Sequence, residues 1–229
     1  MSKNVYFCLM YSFTEENYLK AIYKLQEQSD MAINTNAIAT AIQTKAASVT
    51  DMVKKLSEKK LLKYEKYKGV ELTHLGKRIA IETVRKHRLW ETFLHNKLNF
   101  SWDEVHDIAE QLEHIQSQEL IDKLDEFLGF PSHDPHGDPI PGRNGVIQQN
   151  NFILLSELSV GESGIISGVV NHSNLFLQHL EKNQLVLGKK LLVQEISAFD
   201  QLVKVQIEDK HLQQLSNEVV RNILVKKLS

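Results

Sequence analysis

The fold is decided by residues 44–73, which read TKAASVTDMVKKLSEKKLLKYEKYKGVELT. Four apolar residues in the first half recur at i, i+3, i+4 and i+7, the spacing of a helix with one buried face: Val49, Met52, Val53 and Leu56. Two short β-rich runs follow at 61–66 and 70–73, joined by a turn with Gly69 at its tight position. A helix followed by a two-stranded hairpin is therefore predicted.

Helix start signals lie before and within this stretch. Ser12 and Glu15, three residues apart, form a capping box that begins a first helix. Asn34 is placed to cap a second helix, and Thr44 to cap the third. Three helices and a hairpin make a winged helix-turn-helix.

Helical patterns continue after the hairpin, over 73–98 and 102–128. Residues 130–145 then hold all four prolines, which indicates a linker. Beyond it, one helix near 174–183 lies among three short β-rich runs, which predict a small β-barrel: 164–170, 189–196 and 202–207. The chain is expected to be mainly α with a small amount of β.

The charges of the chain are unevenly spread. Residues 1–100 carry 17 lysines and arginines against 10 acidic side chains, whereas residues 101–145 carry 2 against 11. A basic front half suits phosphate and an acidic middle suits cations or self-association, with a plain solvated face as the alternative for either. Apolar residues make up 42% of the chain, enough for buried cores.

Two features bear on the compartment. Cys8 is the only cysteine, so no intrachain disulfide can form and a reducing compartment is expected. The apolar run at 5–10 is too short to span a bilayer and lacks the cleavage pattern of a signal peptide. We expect a cytoplasmic protein that does not contact the membrane.

Six imidazole and carboxylate side chains recur at helical spacing in the middle of the chain: His87, Glu91, His106, Glu110, Glu113 and His114. The first two are i, i+4 on one predicted helix, and the others run i, i+4, i+7, i+8 on the next, so each set shares a face. Nitrogen and oxygen donors without thiolate suit Mn(II), Fe(II) or Zn(II). The pattern predicts a metal site.

Two other interpretations stay open for these residues. A His-Glu pair at i, i+4 commonly stabilises an exposed helix without metal. A hydrolytic zinc enzyme would show His-Glu-x-x-His, but Glu113-His114 lacks a second histidine three residues on, so catalysis is not expected. A further group in the proline-rich segment could also bind metal, but it is interpreted as the polar side chains of an exposed connector: His133, Asp134, His136 and Asp138.

The outward face of the third helix would meet DNA. A recognition helix presents its first residues to base edges and its flanks to phosphates, and six residues occupy those positions: Lys45, Ala47, Ser48, Asp51, Lys54 and Lys55. Lys66 and Lys68 in the wing would add phosphate contacts, which set affinity without selecting sequence. Because winged helices also bind proteins, a protein-interaction module is the alternative.

Together these motifs resemble the DtxR/MntR family of metal-dependent transcriptional repressors. The matching stretches lie across nearly the whole chain: ENYLKAIY (16–23), SVTDMVKKL (48–56), LTHLG (72–76), RKHRLWE (85–91), VHD (105–107) and GDPIPG (137–142). The resemblance implies an N-terminal winged helix-turn-helix over 1–73 and a helical metal-binding and dimerisation domain with its linker over 74–145. It implies an SH3-like, FeoA-type domain over 146–229.

The resemblance also implies two metal positions per subunit. The ancillary position would use His87, Glu91 and His106, and the activating position Glu110, Glu113 and His114. The activating position also takes a ligand from the first helix, where Asn17 stands in place of the aspartate or methionine of the known branches, with Glu16 as the alternative. His172 is the candidate for an ancillary ligand from the tail.

Glu110 stands where iron-type members have cysteine and manganese-type members have glutamate, so Mn(II) is favoured over Fe(II), with Zn(II) able to bind in vitro. The resemblance implies a homodimer that binds a palindromic DNA operator and represses metal-homeostasis genes, with no small organic substrate. The alternative is a metal-dependent enzyme, or a metal-buffering protein whose winged helix contacts another protein.

Overall fold

A computed structural model describes residues 11–27, 32–65, 68–148, 151–208 and 211–228. The chain divides into two compact units. The first unit is Met1–Lys86 with Arg143–Gly145, and the second unit is His87–Gly142 with Val146–Ser229. Across the described ranges, no helix is both long and apolar enough to cross a membrane.

The first unit contains three helices and a β-hairpin. These are α1 Phe13–Glu27, α2 Thr35–Ala41, α3 Ala46–Glu58, β1 Leu62–Glu65 and β2 Gly69–Leu72. The two strands are antiparallel, with Leu62 opposite Leu72. The apolar face of α3 is fully buried at Val49, Val53 and Leu56. The winged helix-turn-helix is therefore confirmed.

Local hydrogen bonds define where these helices begin. The Ser12 N–H donates to Glu15 Oε2 at 3.2 Å and the Glu15 N–H to Ser12 Oγ at 3.3 Å, which is the predicted capping box. Asn34 Oδ1 caps α2 by accepting a backbone N–H at 2.8 Å. The prediction for Thr44 is wrong, because its N–H still closes the turn after α2 and Lys45 takes the N-cap position of α3.

Helix α4, His74–Leu98, leads from the first unit into the second. The second unit continues with α5 Val105–Leu112 and α6 Gln118–Phe127, followed by an antiparallel sheet. Its strands are β3 Ile153–Leu154, β4 Ser163–Val169, β5 Lys190–Ile196, β6 Val203–Ile207, β7 His211–Leu215 and β8 Ile223–Lys227, in the order β3-β8-β4-β5-β6-β7. Helices α7 Asn174–Lys182 and α8 Asn217–Val220 complete the tail. The small C-terminal β domain is confirmed as this six-stranded sheet.

Two apolar cores stabilise the second unit. One lies among the helices and includes Leu89, Leu94 and Ile121. The other lies against the sheet and includes Leu191, and Trp102 from the segment just before α5 belongs to it. The side chain of Trp102 therefore ties the start of α5 to the C-terminal sheet.

The proline-rich segment is not an exposed connector. Asp134 and His136 are only 4% and 2% exposed. Asp134 Oδ1 accepts the backbone N–H groups of His136 and Asp138 at 2.8 and 3.0 Å, which closes a compact turn. Gly137 lies so close to β4 that a Cβ atom there would be 2.1 Å from Ser167 O. The expectation is wrong because these hydrogen bonds and this packing bury the segment.

Candidate metal centre

Helix α4 carries His87 and Glu91, and α5 brings His106 to them. Glu91 Oε1 lies 2.9 Å from His87 Nε2 and 3.3 Å from His106 Nδ1. The two imidazole nitrogens are 3.2 Å apart. The structure thus brings together the three residues predicted for the ancillary position.

Glu110, one turn along α5 from His106, faces the same group. Its Oε1 lies 3.7 Å from His106 Nε2. One donor atom from each of His87, His106 and Glu110 lies within 4.8 Å of the others. The family resemblance implies that Glu110 belongs to the activating position with Glu113 and His114, whereas the structure also brings it to the ancillary residues.

Glu113 and His114 lie just beyond the end of α5 at Leu112, so the prediction that the helix continues through His114 is wrong. Both side chains are buried. Glu113 Oε2 lies 2.6 Å from His87 Nδ1, and Glu113 Oε1 lies 3.8 Å from His114 Nε2. A carboxylate on Nδ1 fixes the imidazole ring with Nε2 turned toward Glu91 and His106, an arrangement found in many metal-binding histidines.

The charge state of Glu91 suits a cation. Burial alone would raise the pKa of its carboxyl, but the imidazoles of His87, His106 and His136 hold that pKa well below 4.5. Glu91 is therefore in the ionised form that binds metal. Imidazole nitrogen and carboxylate oxygen within reach of one point fit Mn(II), Fe(II) or Zn(II).

A second cluster joins Glu91 to the proline-rich segment. His136 Nδ1 lies 3.7 Å from Glu91 Oε2, and His136 Nε2 lies 3.0 Å from the carbonyl oxygen of Trp102. Donor atoms of Glu91, Asp134 and His136 lie within 4.8 Å of one another. Asp134 already accepts two backbone N–H groups, and its Oδ2 is 3.7 Å from Arg88 Nε. Asp134 and His136 thus have hydrogen-bond partners within the protein, and the three residues also lie close enough together to hold a cation.

His172 contacts His136, on which its ring stacks, and not Glu91 directly. Its imidazole stacks on that of His136, with centroids 5.2 Å apart and an interplanar angle of 29°. Its Nε2 lies 3.2 Å from the carbonyl oxygen of Val169. Among the described residues, His172 is not part of a cluster of converging donors. His172 therefore contacts His136, the residue whose Nδ1 faces Glu91.

Asn17 and Glu16 lie on α1 in the first unit. Asn17 Oδ1 is buried, and no hydrogen-bond partner for it is found in the part of the chain that the structure describes. A buried acceptor without a partner costs free energy, which a bound cation would recover. Glu16 is also buried, with its Oε1 3.8 Å from Lys86 Nζ.

The predicted DNA-binding residues of the third helix form one exposed face: Lys45, Ala47, Ser48, Asp51, Lys54 and Lys55. Lys55 is also paired, since its Nζ lies 3.0 Å from Glu15 Oε1. In the wing, Lys68 pairs with Glu65 at 2.5 Å. Lys66 lies outside the described residues.

Three family models match the chain. The model described as "Iron dependent repressor, N-terminal DNA binding domain" covers residues 10–70. The model described as "Iron dependent repressor, metal binding and dimerisation domain" covers residues 73–142, and the FeoA domain covers residues 153–227.

Curated relatives and solved structures agree with these matches. The iron-dependent repressor IdeR of Mycobacterium tuberculosis is 33% identical over 155 residues, which is 65% of this chain and 67% of that protein. The HTH-type transcriptional regulator MntR of Oceanobacillus iheyensis is 36% identical over 119 residues, which is 52% of this chain and 80% of that protein.

A manganese-dependent transcriptional repressor solved in complex with manganese is 35% identical, with a TM-score of 0.81 over 93% of this chain and 100% of that chain. The repressor ScaR with bound cadmium is 32% identical, with a TM-score of 0.73 over 93% of this chain and 99% of that chain.

The DNA-binding fold, the converging donors and these similarities lead to one assignment. The chain belongs to the DtxR/MntR family of metal-dependent transcriptional repressors.

Proposed function

We propose that this protein binds DNA and represses transcription when Mn(II), in preference to Fe(II), occupies its metal centre. The observation that carries the proposal is the convergence of His87, Glu91, His106 and Glu110 from two helices of one unit. Carboxylate and imidazole donors this close together suit a cation that they share. When bound, the ion supplies positive charge that offsets the buried carboxylates.

Two sets of ligands are proposed. The ancillary set is His87, Glu91 and His106, with His172 as the candidate from the tail. The activating set is Glu110, Glu113, His114 and Asn17. The buried Oδ1 of Asn17 supports a ligand from α1. The contact between Glu113 and His87 supports a second role for Glu113, which is to orient that imidazole.

The preference for Mn(II) rests on the donor chemistry. Glu110 offers a carboxylate oxygen where a softer thiolate would favour other ions, because selectivity comes from ligand type and geometry rather than from raw affinity. Similarity to solved manganese-dependent repressors supports the same preference. Zn(II) is expected to bind in vitro.

The exposed face of α3 is the proposed DNA contact. Ala47 and Ser48 are small enough to approach the major groove, and Lys45 and Lys54 on either side of them would contact the phosphates. A homodimer presents two such helices, so the operator is expected to be palindromic. Because a repressor must reach its operator, we also propose a cytoplasmic location.

We assign no catalytic activity, because the family consists of repressors. In the proposed mechanism, the metal-bound form is the one that binds the operator. Binding of metal and of DNA must then strengthen each other by the same factor. An enzyme or a metal buffer has no such coupling to a duplex.

Fluorescence anisotropy tests the proposal, with the apo-protein and a labelled duplex from upstream of its own gene, titrated with Mn(II), anaerobic Fe(II) and Zn(II). Mn(II) is expected to tighten binding by about tenfold or more, within the usual range of allosteric coupling. Glu110→Ala should abolish this tightening. Asp107→Ala, an exposed acidic residue on the same helix, is the matched control and should retain it.

The possible results separate the alternatives. Equal binding with and without metal would contradict the metal switch. Full tightening in Glu110→Ala would contradict the ligand assignment but leave the switch intact. Metal binding without any duplex binding would favour the metal-buffering alternative.

A further inference from the structure

Glu15 links the first helix of the winged domain to the end of the recognition helix. Its Oε1 lies 2.7 Å from Lys59 Nζ and 3.0 Å from Lys55 Nζ. Its Oε2 accepts the backbone N–H of Ser12 at 3.2 Å. One carboxylate at the start of α1 therefore holds two lysines from the C-terminal end of α3.

The two sides of this contact differ in exposure. The side chain of Glu15 is 1% exposed, whereas those of Lys55 and Lys59 are 53% and 42% exposed. Because the carboxylate is buried and both ammonium groups lie within 3.0 Å of it, the lysine side chains are held against the start of α1.

We propose that Glu15 is a specificity-determining residue that withholds Lys55 and Lys59 from the phosphates of non-operator DNA. The inference rests on the proposed DNA contact of α3. Lysine–phosphate contacts strengthen binding to every duplex and carry no sequence information. Removing two such contacts from the free protein lowers affinity for the many competing sites, while the base contacts near Ala47 and Ser48 are untouched.

Lys54 provides an internal comparison. It lies on the same helix and is exposed, and in the part of the chain that the structure describes it forms no ion pair. Lys54 is therefore available to phosphate while its neighbour Lys55 is held by Glu15. Two adjacent lysines of one recognition helix should then make unequal contributions to non-specific binding.

The contact also lies close to a proposed metal ligand. Glu15 precedes Asn17 by two residues on α1. The helix that would carry the activating ligand is thus tied directly to the helix that meets DNA. Losing Glu15 is expected to raise non-specific affinity.

The test measures the salt dependence of binding to a duplex of unrelated sequence, with Mn(II) present, for Glu15→Gln and the wild type. Each released lysine that reaches a phosphate steepens the slope of log K against log salt by about 0.9. Two steepen it by about 1.8, so the variant should lose about twelvefold more non-specific affinity than the wild type for a fourfold rise in salt. Glu58→Gln, an exposed residue of α3 with the same change in charge, is the control and should behave as the wild type.

A slope for Glu15→Gln equal to that of Glu58→Gln would overturn the inference. If Glu15→Gln does not fold, the same salt dependence measured on lysine variants tests the inference. Lys59→Gln should leave the wild-type slope unchanged and Lys54→Gln should reduce it by about 0.9, whereas equal reductions would overturn the inference. A wild type that binds no duplex with any metal would instead remove the proposed function, and this inference with it.

Discussion

Replacing Gly137 with alanine tests whether the proline-rich segment is anchored on the C-terminal sheet. Gly137 has φ +87°, a conformation that costs an alanine about 1–2 kcal/mol. The new Cβ would also lie 2.1 Å from Ser167 O and 2.3 Å from the Cα of Gly168, so backbone must move. Overpacking of this kind costs about 1–3 kcal/mol. The free energy of unfolding should fall by about 2–5 kcal/mol in total.

Thermal unfolding followed by tryptophan fluorescence measures this loss, because Trp102 lies in the sheet core. For a chain of this size, the loss corresponds to a fall in Tm of about 4–20 °C. Gly161→Ala is the matched control, since Gly161 has φ +88° but no described atom within 4 Å of the added Cβ. It should lose only the conformational part, about 1–2 kcal/mol. Equal losses in the two variants would refute the close packing of the segment on β4.

Three further predictions concern the metal centre and the winged domain. Glu113→Gln should weaken Mn(II) binding at the ancillary position by about ten- to a hundredfold in calorimetry, because it removes the carboxylate that orients His87. An unchanged affinity at the ancillary position would contradict this orienting role. Asn17→Asp should tighten Mn(II) binding at the activating position, because a carboxylate replaces a neutral amide oxygen, and weaker binding would argue against a ligand from α1. The folded-state pKa of Glu15 is lowered, so the stability that this carboxylate contributes is present above its usual pKa of 4.5 and is lost as the pH falls below it. In Glu15→Gln, the free energy of unfolding should therefore decrease less steeply at acid pH than in the wild type. An unchanged decrease would count against the contact.

Features set by local periodicity could be predicted from the sequence. The buried face of α3 and the mutual capping of Ser12 and Glu15 depend on residues three to seven apart, so they appear in the sequence as spacing. The pairing of His87 with Glu91 is of the same kind, one turn of α4. Strand β7 was not predictable in this way, because His-Leu-Gln-Gln-Leu has little apolar alternation.

Contacts between distant residues could not be read from spacing. Glu15 meets Lys59 across 44 positions, and His87 meets Glu113 across 26. Each contact depends on how two helices pack, which no local pattern encodes. Asp134 carried a partial signal, since aspartate beside proline and glycine commonly accepts backbone N–H groups in a turn. That signal predicts an ordered turn but not its burial.

The position of His136 changes how a deletion of the tail should be interpreted. Its backbone oxygen accepts the N–H of Val169 at 3.0 Å and its ring contacts His172, both from the tail, while its Nδ1 faces Glu91. Removing the tail would also expose Trp102, whose carbonyl oxygen accepts a hydrogen bond from Nε2–H of His136. Weaker ancillary metal binding after such a deletion would therefore not show that the tail supplies a ligand.

His172→Ala separates the two explanations, because it removes the imidazole and leaves the contact with Val169 and the sheet core in place. If the tail acts by holding His136 behind Glu91, this variant should keep nearly all of the ancillary affinity for Mn(II), and only the deletion should lose it. If His172 is itself a ligand, the His172→Ala variant should by itself lose tenfold or more of its ancillary affinity for Mn(II), because one of a few metal donors is removed. A tenfold change in affinity corresponds to about 1.4 kcal/mol. Calorimetry on the full chain, with His114→Ala as the background to silence the activating position, distinguishes them. The stacking of His172 on His136, rather than among the converging donors, favours the first result.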